Sequence, residues 1–314
     1  MSATADLFLR GAWIKVPAVD FNGTRLVVTG KWLRMAALAG EDCLERGLED
    51  PEGCIRTLTD RRSHAVQADI LTFAQTAPST LAKYSYPMQP DSIAAIRLTS
   101  FNEWWEGLPQ VTRKNARRAA KRGVVVSVRE LDDNLIRQIM EINNETPSRQ
   151  GRRFTHYGES FEDTKRDFSS FSHRSEFVCA YLADELIGIS KIVYCGHVAA
   201  IMKLQPKVSH YDKRPANALL VKALECCAQK GVSCVTYGKY RYGRQEQTSL
   251  MEFKARHGFE EVLVPRYSVP LTIKGRVAVK LGLHRDMVEI LPESVIRVAR
   301  RIRKKWHTSS LSPV

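Results

Sequence analysis

The chain has 314 residues, of which 44% are hydrophobic and 26% are charged, and this is the composition of an ordinary globular protein. It excludes a disordered chain, a collagen-like fibre and a disulfide-stabilised mini-protein, and no apolar run reaches the ~18 residues that a membrane span needs. The seven cysteines are odd in number and contain no C-x-x-C spacing, which argues against a disulfide framework and favours a reducing, cytoplasmic location.

The net charge of +14 is concentrated in two short segments. Residues 113–122 (RKNARRAAKR) and 297–307 (RVARRIRKKWH) each contain six basic residues and no acidic residue. Such segments predict an anionic partner, which can be RNA, a phosphorylated cofactor or an anionic membrane surface. The alternative is that both are helices with solvated charged faces.

The N-terminal third contains short strand patterns that are separated by loops. A helix is predicted to begin at Pro51, because proline is favoured in the first helical turn. Residues 77–90 contain three prolines and predict a loop. The predicted strands lie at 12–16, 25–28, 32–36, 68–73 and 92–98.

A basic helix is predicted to precede Gly123. Ser100 and Glu103 form a capping box at the start of this helical region, and Pro109 is expected to break or kink it. The cations of 113–122 cover one side of the helical wheel. The opposite side, which is predicted to pack on the protein, carries Ala116, Ala119 and Ala120.

From residue 124 onward, strand and helix patterns follow each other regularly. Three consecutive strands are close enough in sequence to predict an antiparallel meander. In chain order, the predicted elements are a strand at 124–129, helices at 132–144 and 161–171, strands at 176–182, 186–194 and 198–204, a helix at 215–229, a strand at 232–237, a helix at 245–257, strands at 259–264 and 267–271, and a basic helical tail at 277–307.

Several common enzyme classes lack their signatures here. The order of elements does not repeat βαβ units, and there is no G-x-G-x-x-G, P-loop or G-x-S-x-G motif. The eight histidines are scattered singly, so no metal site is predicted.

Three motifs in a fixed order carry a family resemblance. They are the basic helix before residue 124, the block HYDKRPANALLVKALECCAQKGVSCVTYG (210–238), and FKARHGFEE (253–261). Together they resemble the FemAB-like branch of the GNAT (acyl-CoA N-acyltransferase) superfamily. The resemblance implies an α/β fold with a GNAT-like mixed, mainly antiparallel central sheet flanked by helices.

The resemblance also implies a division of the chain into three parts. Residues 1–123 form a divergent N-terminal α/β subdomain that ends in the basic helix. Residues 124–270 form the GNAT-like acyltransferase domain, and residues 271–314 form a basic helical tail.

The implied activity is transfer of an acyl or aminoacyl group from acyl-CoA or aminoacyl-tRNA to an amine of a sugar, peptide or cell-envelope precursor, without a metal. GNAT domains split their sheet beside the fourth strand and hold the donor there; the strand at 198–204 takes that position here. The alternative is a non-catalytic RNA-binding protein on a degenerate GNAT scaffold. A third possibility is a peripheral membrane protein that is held by its basic tail.

The donor's phosphates are expected at the start of the helix at 215–229, where backbone N–H groups and two cations suit a pyrophosphate. The residues are Lys213, Arg214 and Asn217. The loop KRPANA (213–218) contains no glycine, unlike the usual coenzyme A loop, which leaves aminoacyl-tRNA open as donor. An ordinary helix start is the alternative.

The catalytic candidates lie in two loops and one strand. His156 can act as a base near neutral pH. The resemblance implies a tyrosine acid for the leaving group at Tyr242 or Tyr240, and an acceptor pocket faced by Lys203. The predicted substrate-binding residues are Arg149, Arg152, Tyr157, Lys239, Tyr240 and Arg244. The alternative for these positions is surface or packing residues with solvated cations.

Overall fold

The computed structural model describes residues 3–9, 12–44, 46–60, 67–149, 152–241 and 248–284. Within these ranges the strands are β1 (Ala3–Leu9), β2 (Ala12–Phe21), β3 (Thr24–Thr29), β4 (Met35–Leu38), β5 (Ile70–Ala74), β6 (Met88–Arg97), β7 (Val124–Arg129), β8 (Ser148–Arg149), β9 (Arg152–Arg153), β10 (Ser175–Leu182), β11 (Glu185–Cys195), β12 (Val198–Pro206), β13 (Cys234–Lys239) and β14 (Glu260–Pro270). The helices are α1 (Pro51–Thr59), α2 (Phe101–Gly107), α3 (Gln110–Lys121), α4 (Asp133–Asn144), α5 (Phe161–Ser169), α6 (Pro215–Gln229), α7 (Ser249–Arg256) and α8 (Ile273–Lys280).

Twelve of the described strands form one continuous sheet in the order β1-β2-β3-β4-β5-β14-β6-β13-β12-β11-β10-β7. Most neighbours are antiparallel, while β4 with β5 and β12 with β13 are parallel. Strands β10, β11 and β12 are the predicted meander. The predicted α/β class with a mixed, mainly antiparallel sheet is therefore confirmed.

Side-chain caps place the helix starts as the sequence predicts. Ser100 accepts a hydrogen bond from the backbone N–H of Glu103 at 3.1 Å, and Asp132 and Ser160 cap α4 and α5 in the same way. Pro109 ends α2 and immediately precedes α3, so the predicted break is confirmed.

The packing face of α3 differs from the prediction in one position. Thr112 and Ala119 are buried, but Ala120 is exposed. The side of α3 that packs on α6 and β7 therefore contains Thr112 and Ala119, with Ala116 half-buried beside them.

The end of the central sheet also corrects the sequence prediction. One continuous strand, β14, replaces the two strands predicted at 259–264 and 267–271. Pro265 has no N–H to donate, but its carbonyl accepts a hydrogen bond from the backbone N–H of Gln75 at 2.9 Å, so the strand continues past it. Strand β6 begins inside the segment predicted as a loop, and β1 was not predicted.

The sheet joins the two parts of the chain that the sequence divides at residue 123. Strand β6, from the N-terminal part, lies between β13 and β14 of the second part. Each part therefore completes the other's backbone hydrogen bonding. The domain boundaries stay a prediction, and the tail beyond His284 lies outside the described residues.

Two apolar layers cover the faces of the C-terminal half of the sheet. One contains buried side chains of α6, such as Leu219, Leu220 and Leu224, together with α2 and α3. The other contains Ile136 and Ile139 of α4 with α5. Gly188 lets α6 approach closely, because a Cβ there would lie 2.9 Å from Leu219 Cδ1.

Candidate active site

The sheet splits between β12 and β13. These parallel strands pair only where Val198–Ala200 faces Cys234–Thr236. Beyond Ala200, β12 contains a bulge around Met202, because its pairing with β11 shifts by one residue there. The two strands diverge and leave a cleft of about 160 Å³, into which their unpaired backbone edges open.

Charged side chains from three other elements line this cleft. Arg266 on β14 donates to Glu41 at 2.6 Å and to Asp91 on β6 at 2.8 Å. Glu41 also accepts from the backbone N–H of Ala74 at 2.6 Å. Burial would lower the pKa of Arg266, but the two carboxylates outweigh burial and raise it. Arg266 is thus held as a cation in the floor of the cleft.

Asp42 is the carboxylate in the cleft that remains available. Its side chain forms no ion pair or hydrogen bond with any residue that the structure describes. The Asp42 side chain is exposed at the cleft, but the surrounding protein partly desolvates it. This desolvation, together with the charge of Asp91, raises its pKa, and Arg266 and Lys239 only partly oppose the shift. A carboxylate that is both reachable and raised in pKa is suited to accept a proton. Among the described residues, no group of three ligands is placed to hold a metal ion.

A second polar cluster lies on the same sheet face, beside Met202. Lys203 Nζ is 3.1 Å from His156 Nε2 and 2.7 Å from Asp167 Oδ2. His156 Nδ1 is 2.9 Å from Glu159 Oε1, and the imidazole stacks on Phe8 with centroids 5.2 Å apart. Two of the predicted catalytic residues are therefore in direct contact, and both ring nitrogens of His156 have partners.

Lys191, which is not among the residues predicted from the sequence, supports this cluster from β11. Its side chain is fully buried and donates to Phe168 O at 2.9 Å and to Ser170 Oγ at 2.8 Å, at the carboxyl end of α5. Burial lowers the pKa of Lys191 to about 8, with Asp167 opposing that shift. A single lysine in an otherwise apolar strand was the available signal.

The predicted donor loop lies against the basic helix. Arg122 at the end of α3 donates to the backbone carbonyl of Asp212, and Asp212 pairs with Lys213 at 3.2 Å. Arg214 has φ of 63°, and the N–H groups of Asn217 and Ala218 both donate to Arg214 O. These donors serve the helix itself, and Pro215 has none. The site therefore offers fewer backbone donors to a pyrophosphate than a glycine-rich loop does.

Comparison with known proteins agrees with this geometry. A family model described as an acetyltransferase (GNAT) domain matches residues 110–254. Those residues contain the split strand and the helix that follows it.

By this match, residues 110–254 resemble a GNAT domain.

The fold of most of the chain is shared with two solved structures. FemX aligns over 84% of this chain and 89% of its own, with a TM-score of 0.55 and 11% identity. L-PGS from Bacillus licheniformis aligns over 82% and 85%, with a TM-score of 0.52 and 12% identity. No curated protein matches the chain by sequence. The predicted resemblance to the FemAB-like branch is confirmed at the level of the fold.

The remaining predicted residues of the GNAT domain are dispersed around the cleft and the cluster. Asn217 is turned inward, with its amide nitrogen 3.1 Å from His257 Nε2. Arg149 donates to Ile142 O at 2.6 Å and to Pro206 O at 3.3 Å, and it stacks on Phe154, so its guanidinium ties α4 to the end of β12. Tyr157 is exposed. The backbone of Arg152 in β9 lies opposite that of Arg149 in β8, because the two short strands are antiparallel.

The end of β13 carries the last group of predicted residues. Lys239 Nζ lies 3.8 Å from Asp91 Oδ1 at the cleft, and the backbone N–H of Tyr240 donates to Ser92 O at 2.9 Å. Tyr242 and Arg244 lie outside the described residues.

Lys254 of the FKARHGFEE motif braces this end of β13. Its fully buried ammonium group donates to the carbonyls of Tyr237 and Lys239, both at 2.7 Å, and lies 4.4 Å from the centroid of the Tyr237 ring. Burial lowers the pKa of Lys254 to about 8. The motif carries part of the family resemblance in the sequence. The contacts of Lys254 with β13, however, can be seen only in the folded structure.

Proposed function

We propose that this chain transfers an acyl or aminoacyl group to an amine, with the reacting carbonyl in the cleft between β12 and β13. The observation that carries the proposal is the divergence of these strands after Ala200, with the accessible carboxylate of Asp42 in the same cleft. Unpaired backbone N–H groups along a strand edge can stabilise the negative charge that develops on a carbonyl oxygen.

In the proposed reaction, the neutral nitrogen of the acceptor attacks the carbonyl carbon and a C–N bond forms. The nitrogen's proton passes to the Asp42 carboxylate. The ester C–O or thioester C–S bond of the donor breaks, and the leaving oxygen or sulfur takes up a proton. Tyr242 is proposed as the acid for that last step, with Tyr240 as the alternative.

His156 and Lys203 are proposed to shape the acceptor side of the cleft. Because both ring nitrogens of His156 are engaged, the geometry favours Asp42 over His156 as the base. Lys203, which the sequence predicts to face the acceptor pocket, is proposed to hold β12 against α5 through Asp167 while Met202 faces the cleft.

We propose aminoacyl-tRNA as the donor. The exposed side of α3 carries Lys114, Arg118 and Lys121, none of which pairs with an acid in the described part of the chain. This side continues into the donor loop through the contact of Arg122 with Asp212. A twelve-residue helix spans about 18 Å, which suits an extended polyanion better than one pyrophosphate.

The acceptor is proposed to be an amine of a sugar, a peptide or a cell-envelope precursor. Lys213 and Arg214 are proposed to contact donor phosphates, with Asn217 supporting the start of α6. Arg149, Arg152, Tyr157, Lys239, Tyr240 and Arg244 are proposed to border the acceptor.

The test is an amide-formation assay with purified full-length protein. Bulk tRNA charged with radiolabelled amino acids and radiolabelled acetyl-CoA are offered in parallel, with a panel of amino sugars and lysine-containing peptides. Label transfer from tRNA supports the proposal in full, and transfer from acetyl-CoA alone supports acyl transfer but contradicts the donor. Saturable tRNA binding without transfer would favour the alternative, a non-catalytic RNA-binding protein.

A further inference from the structure

Helix α8 presents an apolar stripe to solvent. Ile273, Val277 and Leu281 follow one another at four-residue spacing and are exposed to 79%, 52% and 63%. The opposite side of the helix packs on the protein through buried Gly275 and Ala278. Three large apolar residues side by side differ from the scattered single ones that any surface carries, and such a stripe indicates a binding surface.

Contacts with Asp69 hold α8 so that the stripe faces away from the protein. Thr272 caps α8 and donates to Asp69 at 2.9 Å, and Lys274 pairs with Asp69 at 2.9 Å. Gly275 lies so close that a Cβ there would be 1.9 Å from Asp69 O. The helix therefore cannot rotate to bury its apolar side against the protein.

Trp32 extends the stripe from the β3–β4 connection. Its side chain is 65% exposed, and Lys274 donates to Trp32 O at 2.6 Å with its ammonium 6.0 Å from the ring centroid. An exposed indole beside a lysine is typical of side chains that lie at the boundary of water and lipid.

The charges that α8 itself carries have one sign. The helix carries Lys274, Arg276 and Lys280 and no acidic residue. Arg276 and Lys280 are exposed and form no ion pair with any residue that the structure describes. An apolar stripe bordered by cations is suited to an anionic membrane, because its apolar side chains can enter the acyl region while its cations contact the negatively charged headgroups.

We propose that α8 and Trp32 dock this protein on an anionic lipid bilayer, with Ile273, Val277 and Leu281 entering the headgroup region. Electrostatic charge favours a lipid bilayer over two other candidate partners for this stripe. A second copy of the chain carries the same net charge of +14, and residues 285–314 contain seven basic and three acidic residues, so both are repelled by the rim of the stripe. The proposal is independent of acyl transfer.

The experiment is flotation of the full-length protein with vesicles. One set contains equal parts of phosphatidylglycerol and phosphatidylcholine, and the other contains phosphatidylcholine alone. We expect flotation with the anionic set. A triple variant, Ile273→Gln, Val277→Gln and Leu281→Gln, keeps every charge and a helix-forming residue at each site, and should lower the partition coefficient by about tenfold or more.

A matched control removes three exposed apolar side chains elsewhere and should float as the wild type does. It consists of Leu81→Gln, Val111→Gln and Val125→Gln, which are exposed to 83%, 59% and 64%. Replacing Arg276 and Lys280 with glutamine should weaken binding to the anionic vesicles by about fivefold for each charge. Circular dichroism and thermal melting check that each variant is folded.

Three results would overturn the proposal. The first is equal flotation of the wild type and the α8 triple variant, which would show that membrane binding depends on the basic segments and not on the stripe. The second is a wild-type dimer that the triple variant converts to monomer, which would assign the stripe to a second copy. The third is a wild type that does not float, with faster tryptic cleavage of residues 285–314 in the triple variant, which would assign the stripe to the tail.

Discussion

The Nε2 atom of His156 lies 3.1 Å from the Nζ atom of Lys203. An ammonium group can only donate, so when Lys203 carries its proton, Nε2 must accept and the proton of the imidazole is on Nδ1. That proton is then directed at Glu159, 2.9 Å away. The contact fixes one tautomer of His156 and couples the loop before α5 to β12 beside the cleft.

Lys203→Met should destabilise the protein, because it leaves Asp167 in a largely buried place without its closest cation. Asp167 is 14% exposed, and we expect a loss of about 2 kcal/mol in the free energy of unfolding in urea. The double variant Lys203→Met with Asp167→Asn removes both charges and should recover most of that loss. A double variant that loses the sum of the two single losses would contradict the pairing.

Asp42→Asn should lower the rate of amide formation by about a hundredfold or more, because the asparagine cannot take the proton of the attacking nitrogen. Asp184→Asn, at an exposed turn, is the matched control and should keep the wild-type rate. Circular dichroism and thermal melting separate this effect from unfolding.

The pH dependence of kcat/KM gives an independent readout of Asp42. A base must be ionised, so activity falls as the pH drops through its pKa. Because partial desolvation and the charge of Asp91 raise that pKa, the acid limb should lie above the ordinary range of aspartate, which is about 3.9. An unchanged acid limb in the Asp42→Asn variant would assign the base to another group.

Charge reversal on α3 should weaken tRNA binding in a salt-dependent way. With Lys114, Arg118 and Lys121 changed to glutamate, the plot of log K against log salt concentration should become shallower by about 2, since each neutralised phosphate of a single strand contributes about 0.7. Arg56→Glu, at an exposed position of α1, is the control and should leave the slope unchanged. Equal slopes for the wild type and the triple variant would remove α3 from the donor site.

Lys254→Met should change how stability depends on pH. In the folded protein the pKa of Lys254 is about 8, below the ~10.4 of an unfolded lysine. Between these values the unfolded chain holds the proton and the folded chain does not, so the wild type should gain up to about 3 kcal/mol of unfolding free energy as pH rises from 8 to 10.4. The methionine variant should lack this gain. Parallel pH curves for the two proteins would show that Lys254 is not desolvated.

Much of the local structure could be predicted from the sequence, because helix caps and strand patterns depend only on residues that are close together in the chain. The caps at Ser100, Asp132 and Ser160 depend on one side chain and the next helical turn. The meander followed from strand patterns separated by short turns. The pairing of β6 between β13 and β14 could not be read in this way, because it joins segments more than a hundred residues apart.

The residues of the candidate site likewise fall into those that local sequence predicts and those that only the fold brings together. The sequence by itself predicted the family resemblance and the fourth strand. It also predicted Lys203, because a charge interrupts an apolar strand there, and His156, because the loop around it has no apolar periodicity that would explain its polar residues. It did not indicate Asp42, Asp91 or Arg266. These residues belong to three separate elements and meet only because β14 crosses to the N-terminal strands. Tertiary structure decided which carboxylate is tied to a cation and which stays available, because burial and proximity of charge set both.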